Sequence, residues 1–271
     1  MKIWESSFED LNVDHRGAGF ALSNKCNLSL RFDKFVRCRT TANEGGGFYA
    51  DVKKISISCV IFIECYSPDE GSAFHITSQC ESSKIQESTI ARSRGFEQDG
   101  FISYGRIENG VHNSNVSECS GRDSALTNWP KSEATSRYFF MNIFEVSTTS
   151  QGIFWTYSKV RIEDSNIIRC QTTHLVGIQY GSGATLSFCR NVIIDGKFDQ
   201  FYSSPLTEKD SDTGMFWKTS FRFTTSRNSG IWRCNIFTRI IYCGNHNLNQ
   251  NSSQLEGKSL KTKVYFQSVR F

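Results

Sequence analysis

Proline is nearly missing from this chain, with three in 271 residues. Chains built largely of backbone ladders have this composition, because proline cannot donate a ladder hydrogen bond. Nowhere is there a run of about 20 apolar residues, so no stretch of the sequence reads as a membrane-spanning helix. The opening residues, Met1-Lys2-Ile3-Trp4-Glu5, lack the apolar segment of a secretory signal. Charge of one sign is not concentrated either: 31 Lys and Arg are interspersed with 27 Asp and Glu, leaving a net charge of +4. That balance argues against nucleic acid as a partner. Apolar residues at helical spacing are also absent, which leaves strands as the building element.

What is present is a repeat. The stretch Ile55-Ser56-Ile57-Ser58-Cys59-Val60-Ile61-Phe62-Ile63-Glu64-Cys65 sets a template with apolar residues seven and five positions before a central residue and a small one three after it. The template fits seven times: Leu28, Leu30, Phe35, Cys38; Ile55, Ile57, Phe62, Cys65; Ser83, Ile85, Ile90, Ser93; Asn109, Val111, Val116, Cys119; Arg137, Phe139, Phe144, Ser147; Val160, Ile162, Ile167, Cys170; and Leu186, Phe188, Ile193, Gly196. Central positions step by 27, 28, 26, 28, 23 and 26 residues. A period in the twenties with one supersecondary unit per repeat reads as a solenoid.

Within each copy apolar and polar residues alternate, as in Lys159-Val160-Arg161-Ile162-Glu163, which is the period of a strand with one buried face. A second short segment lies 14 to 18 residues upstream of each centre, as in Gly19-Phe20, Gly47-Phe48, Ala73-Phe74 and Gly152-Ile153. Two to three strands per turn, with Ser, Asn, Asp and Gly between them, predict an all-β, single-domain, right-handed parallel β-helix over residues 1–271, of about 8–10 turns with ~26 residues each. The 22 phenylalanines are its expected core stack.

Gly45-Gly46-Gly47-Phe48 followed by Phe62-x-x-Cys65 resembles the Gly-Gly-Ala-Ile and Phe-x-x-Asn repeats of polymorphic outer-membrane proteins. It is also similar to the β-helix surface proteins of some parasitic protists and, in fold, to pectin-lyase-like proteins. The resemblance covers residues 1 to about 196, with Cys, Ser or Gly standing where Asn would. It implies the β-helix fold and a surface or extracellular location.

Clear repeats occupy residues 1–196, an irregular loop is expected over 197–213, and degenerate turns over 214–271. Ile3, Phe8 and Leu11 fall at template positions of an earlier turn, so the chain is expected to start inside a coil and to be part of something longer. Polar loops are expected at 67–71, 93–99 and 120–123, and an Asn- and Ser-rich loop at 244–259. The last strand, Lys263 to Phe271, shows no cap.

The chemistry on offer is thin. Of ten cysteines, Cys38, Cys65, Cys119 and Cys170 share the small column; free buried thiols or a single Cys38–Cys65 bridge both fit, while Cys119 and Cys170 lie too far apart to join. Cys234, Cys243 and His246 have zinc-like spacing without a fourth ligand, and Asp210, Asp212 and Gly214 form a calcium-like run that lacks a ligand at Gly214. Neither supports a metal, and no cofactor is expected. Outward positions after the upstream apolar column read Ala21, Tyr49, His75, Ser103, Thr127, Phe154, Gln179 and Phe216. No carboxylate stands among them, as acid/base cleavage of polysaccharides requires. Tyr49, His75, Phe154 and Phe216 form a possible ligand face, able to stack on sugars or a partner. His15, His112, His174 and His246 read as surface residues. Asn27, Asn115 and Asn251 head glycosylation sequons. The expectation is a non-enzymatic surface or secreted repeat protein for adhesion or antigenic display, with a host or cell-surface protein or glycan as partner. A polysaccharide-binding or polysaccharide-cleaving module is the competing reading.

Overall fold

The computed structural model describes residues 1–23, 26–77, 80–95, 101–103, 107–122, 126–128, 135–150, 152–156, 159–172, 176–180, 186–189, 191–194 and 196–202, with four strands between 214 and 241. Every described element is a strand, and parallel pairing from one turn to the next runs as far as the strand Ser220–Thr224. Each turn up to Tyr180 carries four short strands, one more than the upper end of the range predicted. Asn27–Arg31, Lys34–Val36, Arg39–Thr40 and Phe48–Asp51 make up one such turn. They feed three sheets: a first of eight strands, a second of ten, and a third built from the last two strands of each turn.

Register in the second sheet fixes the true repeat. Phe8, Phe35, Phe62, Ile90, Val116, Ile143, Ile167 and Ile193 align one above the next. The fifth template match therefore moves by one residue. Ile143 is buried at the centre with Tyr138 and Val146, while Phe144, Phe139 and Ser147 are only partly buried and Arg137 is exposed. A strand's side chains alternate, so a one-residue slip exchanges core and surface, and Ile143-Phe144 fits the template in either phase. In the fourth turn a bulge lets Ser83 pair with Ile107 while Ile85 still pairs with Val111, which displaces Asn109 from its assigned place.

Two phenylalanine columns fill the first turns. Phe8, Phe35 and Phe62 stack with centroids 4.8 and 4.9 Å apart. Phe20, Phe48 and Phe74 stack at 5.1 Å, and the columns meet at tilted contacts of 5.3 to 6.0 Å. Such geometry adds about 0.5–1.5 kcal/mol per pair beyond area burial. Gly47 makes room for it: a Cβ there would lie 2.4 Å from the Ala73 carbonyl oxygen and 3.0 Å from the Phe62 ring. The Cys column is buried and its thiols are free, with Cys38 Sγ donating to Phe8 O at 3.2 Å and Cys65 Sγ to Phe35 O at 3.5 Å. The hydrogen bond with Cys38, together with burial, holds the Cys65 thiol well above its ordinary pKa.

The corners on either side of the second sheet are made by fourteen non-glycine residues with φ between 47° and 61°. They stand three before and two after the central residue in every turn from Glu5 to Arg169. Between the first corner and the centre lies a buried polar column. Ser88 Oγ accepts from Val60 N at 3.4 Å, Ser114 Oγ from Ser88 N at 3.2 Å, Ser165 Oγ from Met141 N at 3.1 Å, and Asn191 Oδ1 from Ser165 N at 3.0 Å. These side chains satisfy amides that leave the sheet ladder as the chain turns.

Two sequence boundaries change. Residues 197–202 form a strand, Lys197–Tyr202, inside the stretch expected to be a loop. Beyond Gly214–Trp217 and Ser220–Thr224, the strands Ser229–Arg233 and Arg239–Ile241 pair antiparallel with Ser220–Thr224 and Gly214–Trp217, so these two strands are not a further parallel turn. The Asp210/Asp212 run, Cys234, Cys243, His246, His174, Asn251, the 244–259 loop and the final strand lie outside the described residues.

Candidate functional site

The outer side of the third sheet collects the polar groups with the most unusual surroundings. Backbone register aligns Ala21, Tyr49 and His75, then Ile102, Thr127, Trp155 and Gln179. Loops 14–19, 41–47 and 68–73 connect the two strand sets of this sheet, and each holds a charged residue followed by a left-handed glycine. The pairs are Arg16-Gly17, Glu44-Gly45 and Glu70-Gly71, with φ of 66°, 74° and 66° at the glycines. Gly17 N donates to Glu44 O at 3.1 Å and Gly45 N to Glu70 O at 2.9 Å, so the loops stack like the strands beside them.

This stacking closes the loops over Tyr49 and His75, which keep 8% and 6% of their surface. Arg16 donates to both Glu44 carboxylate oxygens, at 2.6 and 3.4 Å, and to the Tyr49 hydroxyl at 3.3 Å. Its guanidinium carbon lies 4.9 Å from the Tyr49 ring centroid. The Tyr49 and His75 rings stand 5.3 Å apart, and His75 Nδ1 is 3.6 Å from Glu70 Oε2. Burial pushes the His75 pKa down to about 4 despite the Glu44 carboxylate, so the imidazole is neutral at pH 7. Burial likewise raises the Tyr49 phenol. The chemistry of this set is that of a clamp: a bidentate ion pair and two aromatic rings tie three consecutive loops together.

The four residues assigned to a ligand face are not brought together on an open surface. Tyr49 and His75 are adjacent but covered. Phe154 is a core residue, 1% exposed, aligned with Leu126 and 5.2 Å from the Tyr138 ring; Trp155 takes the outward position instead. Gly152-Ile153-Phe154-Trp155 fits the glycine-then-apolar rule in two phases, and the rule selected the wrong one. Phe216 belongs to the second sheet, paired with Ile193. His112 is half-buried, stacked on Phe139 at 4.9 Å, and burial lowers its pKa. Arg16, Glu44 and Glu70 were missed as site residues, although a charge directly before glycine at spacings of 28 and 26 residues marks them. Among the described residues no three or more His, Cys, Asp and Glu side chains are grouped to hold a metal ion.

Compared with known proteins, the chain matches no family model, no curated protein and no solved structure. Its class is therefore defined by its architecture, a parallel β-solenoid repeating about every 27 residues, with no described helix long and apolar enough to cross a membrane.

Proposed function

We propose that this chain is a non-enzymatic display and binding scaffold, a β-helix repeat protein of the surface or secreted kind whose stacked loops present themselves to a host or cell-surface protein or glycan. The observation that supports it is the stacking of the third-sheet loops over Tyr49 and His75, which covers both rings and leaves the Arg16–Glu44 ion pair at the loop surface. An extracellular or cell-surface location belongs to the same proposal. The test is a pair of assays on the folded protein. Incubation with pectin, pectate and other uronides is expected to release neither reducing ends nor unsaturated products. Immobilised cell-surface proteins and glycans are expected to retain the protein unchanged. Steady turnover of any uronide would overturn the proposal in favour of a pectin-lyase-like enzyme.

A further inference from the structure

The outer face of the second sheet differs from a solvated one. Positions flanking the buried central residues point away from the core, because strand side chains alternate. In the second to fourth turns they hold exposed Lys34, half-buried Val36, Ile61, Ile63 and Thr89, and buried Ala91. Of the five exposed large hydrophobics among the described residues, Trp4, Phe32 and Phe140 lie at or next to the corner before this sheet and Tyr66 just past the corner after it.

That second corner carries Asp10, Arg37, Glu64, Arg92, Glu118, Glu145 and Arg169 in successive turns. Signs alternate over the first five. Arg37 pairs with Asp10, Arg92 with Glu64 at 3.0 Å and Arg169 with Glu145 at 2.9 Å, all with charged heads at least 40% exposed. A nearly neutral alternating column does not suit a strongly acidic or basic partner. Its complement is a surface with the same two-turn charge period beside the same apolar strip, and the chain itself has one.

We propose that a second copy of this chain docks on this face, antiparallel, with the two-fold axis passing between the turns of Ile63 and Ala91. In that register Glu64 meets Arg92 of the partner copy and Arg37 meets Glu118 of the partner copy, each twice, around an apolar centre of Ile61, Ile63 and Ala91. Asp10 then faces Glu145 of the partner copy, a like-charge contact at each end of the interface that the four unlike contacts nearer the axis outweigh. Sliding by one turn opposes like charges across the alternating region, so the column selects the register. Six turns at about 4.8 Å and a width of about 15 Å bury roughly 400–450 Å² per partner, at the weak end of specific interfaces, so association in the micromolar range is expected. The inference goes beyond the display reading and stands without it.

Sedimentation velocity and equilibrium of the full chain from about 1 to 100 µM test it. Wild type is expected to dimerise reversibly, and Ile63→Lys to remain monomeric. Glu64→Arg and Arg92→Glu, each alone, set like charges together at the axis and are expected to weaken association at least about tenfold. Mixed in equal amounts they are expected to form a heterodimer, because the swapped charges again oppose unlike ones. Unchanged circular dichroism and melting confirm the fold. Should Ile63→Lys fail to fold, the exposed corner variants decide. A wild type that stays monomeric at about 100 µM, single corner variants that dimerise as wild type does, or a mixture that does not associate would each overturn the proposal.

Discussion

His75 is a buried histidine, 6% exposed, whose pKa burial pushes well down. Its imidazole lies under the 68–73 loop beside Tyr49, with Glu70, Glu44 and Arg16 the charged groups around it. Folded, it titrates at about 4, against about 6.5 in an unfolded chain. Between those values the unfolded state binds a proton that the folded state refuses, so stability falls as pH drops from about 6.5 towards 4 and is fully present above that window. The contribution amounts to about 3 kcal/mol at most. Thermal melts from pH 7 to pH 4 are expected to show a shallower decline for His75→Gln than for wild type. Parallel curves would mean that the loops open at little cost and that the clamp is not closed in solution. Nothing in the sequence around His75 announces this, because its burial depends on where Glu44-Gly45 and Glu70-Gly71 place their loops.

At the scale of the element, strands were legible and corners were not. Alternation such as Asn27-Leu28-Ser29-Leu30-Arg31 follows from a pleated strand with one buried face, and it located the first two sheets wherever only one phase was apolar. Ile143-Phe144 and Ile153-Phe154-Trp155 are apolar in both phases, and there the reading slipped by one. The corners escaped notice for a different reason. Left-handed backbone is usually marked by Gly or Asn, yet here Glu, Arg, Asp, Phe and Cys fill it, at about 1–2 kcal/mol per residue relative to relaxed backbone. Only Asn113 carries the expected residue type in full. Glu87, with φ of 52°, tests the strain. Glu87→Asn is expected to stabilise the fold by about 0.5–1 kcal/mol, since Asn tolerates this region, and Glu87→Val to destabilise it by 1 kcal/mol or about that, since β-branching does not. Urea denaturation of both variants measures the two shifts. If Val were tolerated as well as Asn, the corner would not be left-handed in solution.

For the whole molecule, the solenoid and its period were readable because each turn must bury the same strip against the turn before it, which forces the pattern to recur at near-constant spacing. The outward features were not readable in that way. Arg16, Glu44 and Glu70 meet through loops, and the charged column from Asp10 to Arg169, alternating in sign as far as Glu118, becomes a column only when 27-residue steps are folded one above another. Function sits on such surfaces, so the period fixes the fold without fixing the activity.

The stacked architecture also dictates how damage is distributed. In a solenoid each turn contacts only its neighbours, so the cost of a core deletion depends on how many neighbours the lost side chain has. Phe62 has them on all sides: it is fully buried, stacked 4.9 Å from Phe35, in register with Ile90, and flanked by Phe48 and Phe74 at 5.9 and 5.3 Å. Phe8 is partly buried and stacks on Phe35 alone in its column. Phe62→Ala is therefore expected to cost about 3–5 kcal/mol by leaving a cavity that its neighbours cannot close, and Phe8→Ala less than about half of that. Cys65→Ser is expected to cost less than Phe62→Ala, because Ser93 already occupies the next place in that column and the Phe35 carbonyl accepts from either side chain. Urea titration of the three variants against wild type gives the order directly. Equal losses for Phe8→Ala and Phe62→Ala would mean that stability is pooled along the whole rod and not shared between adjacent turns.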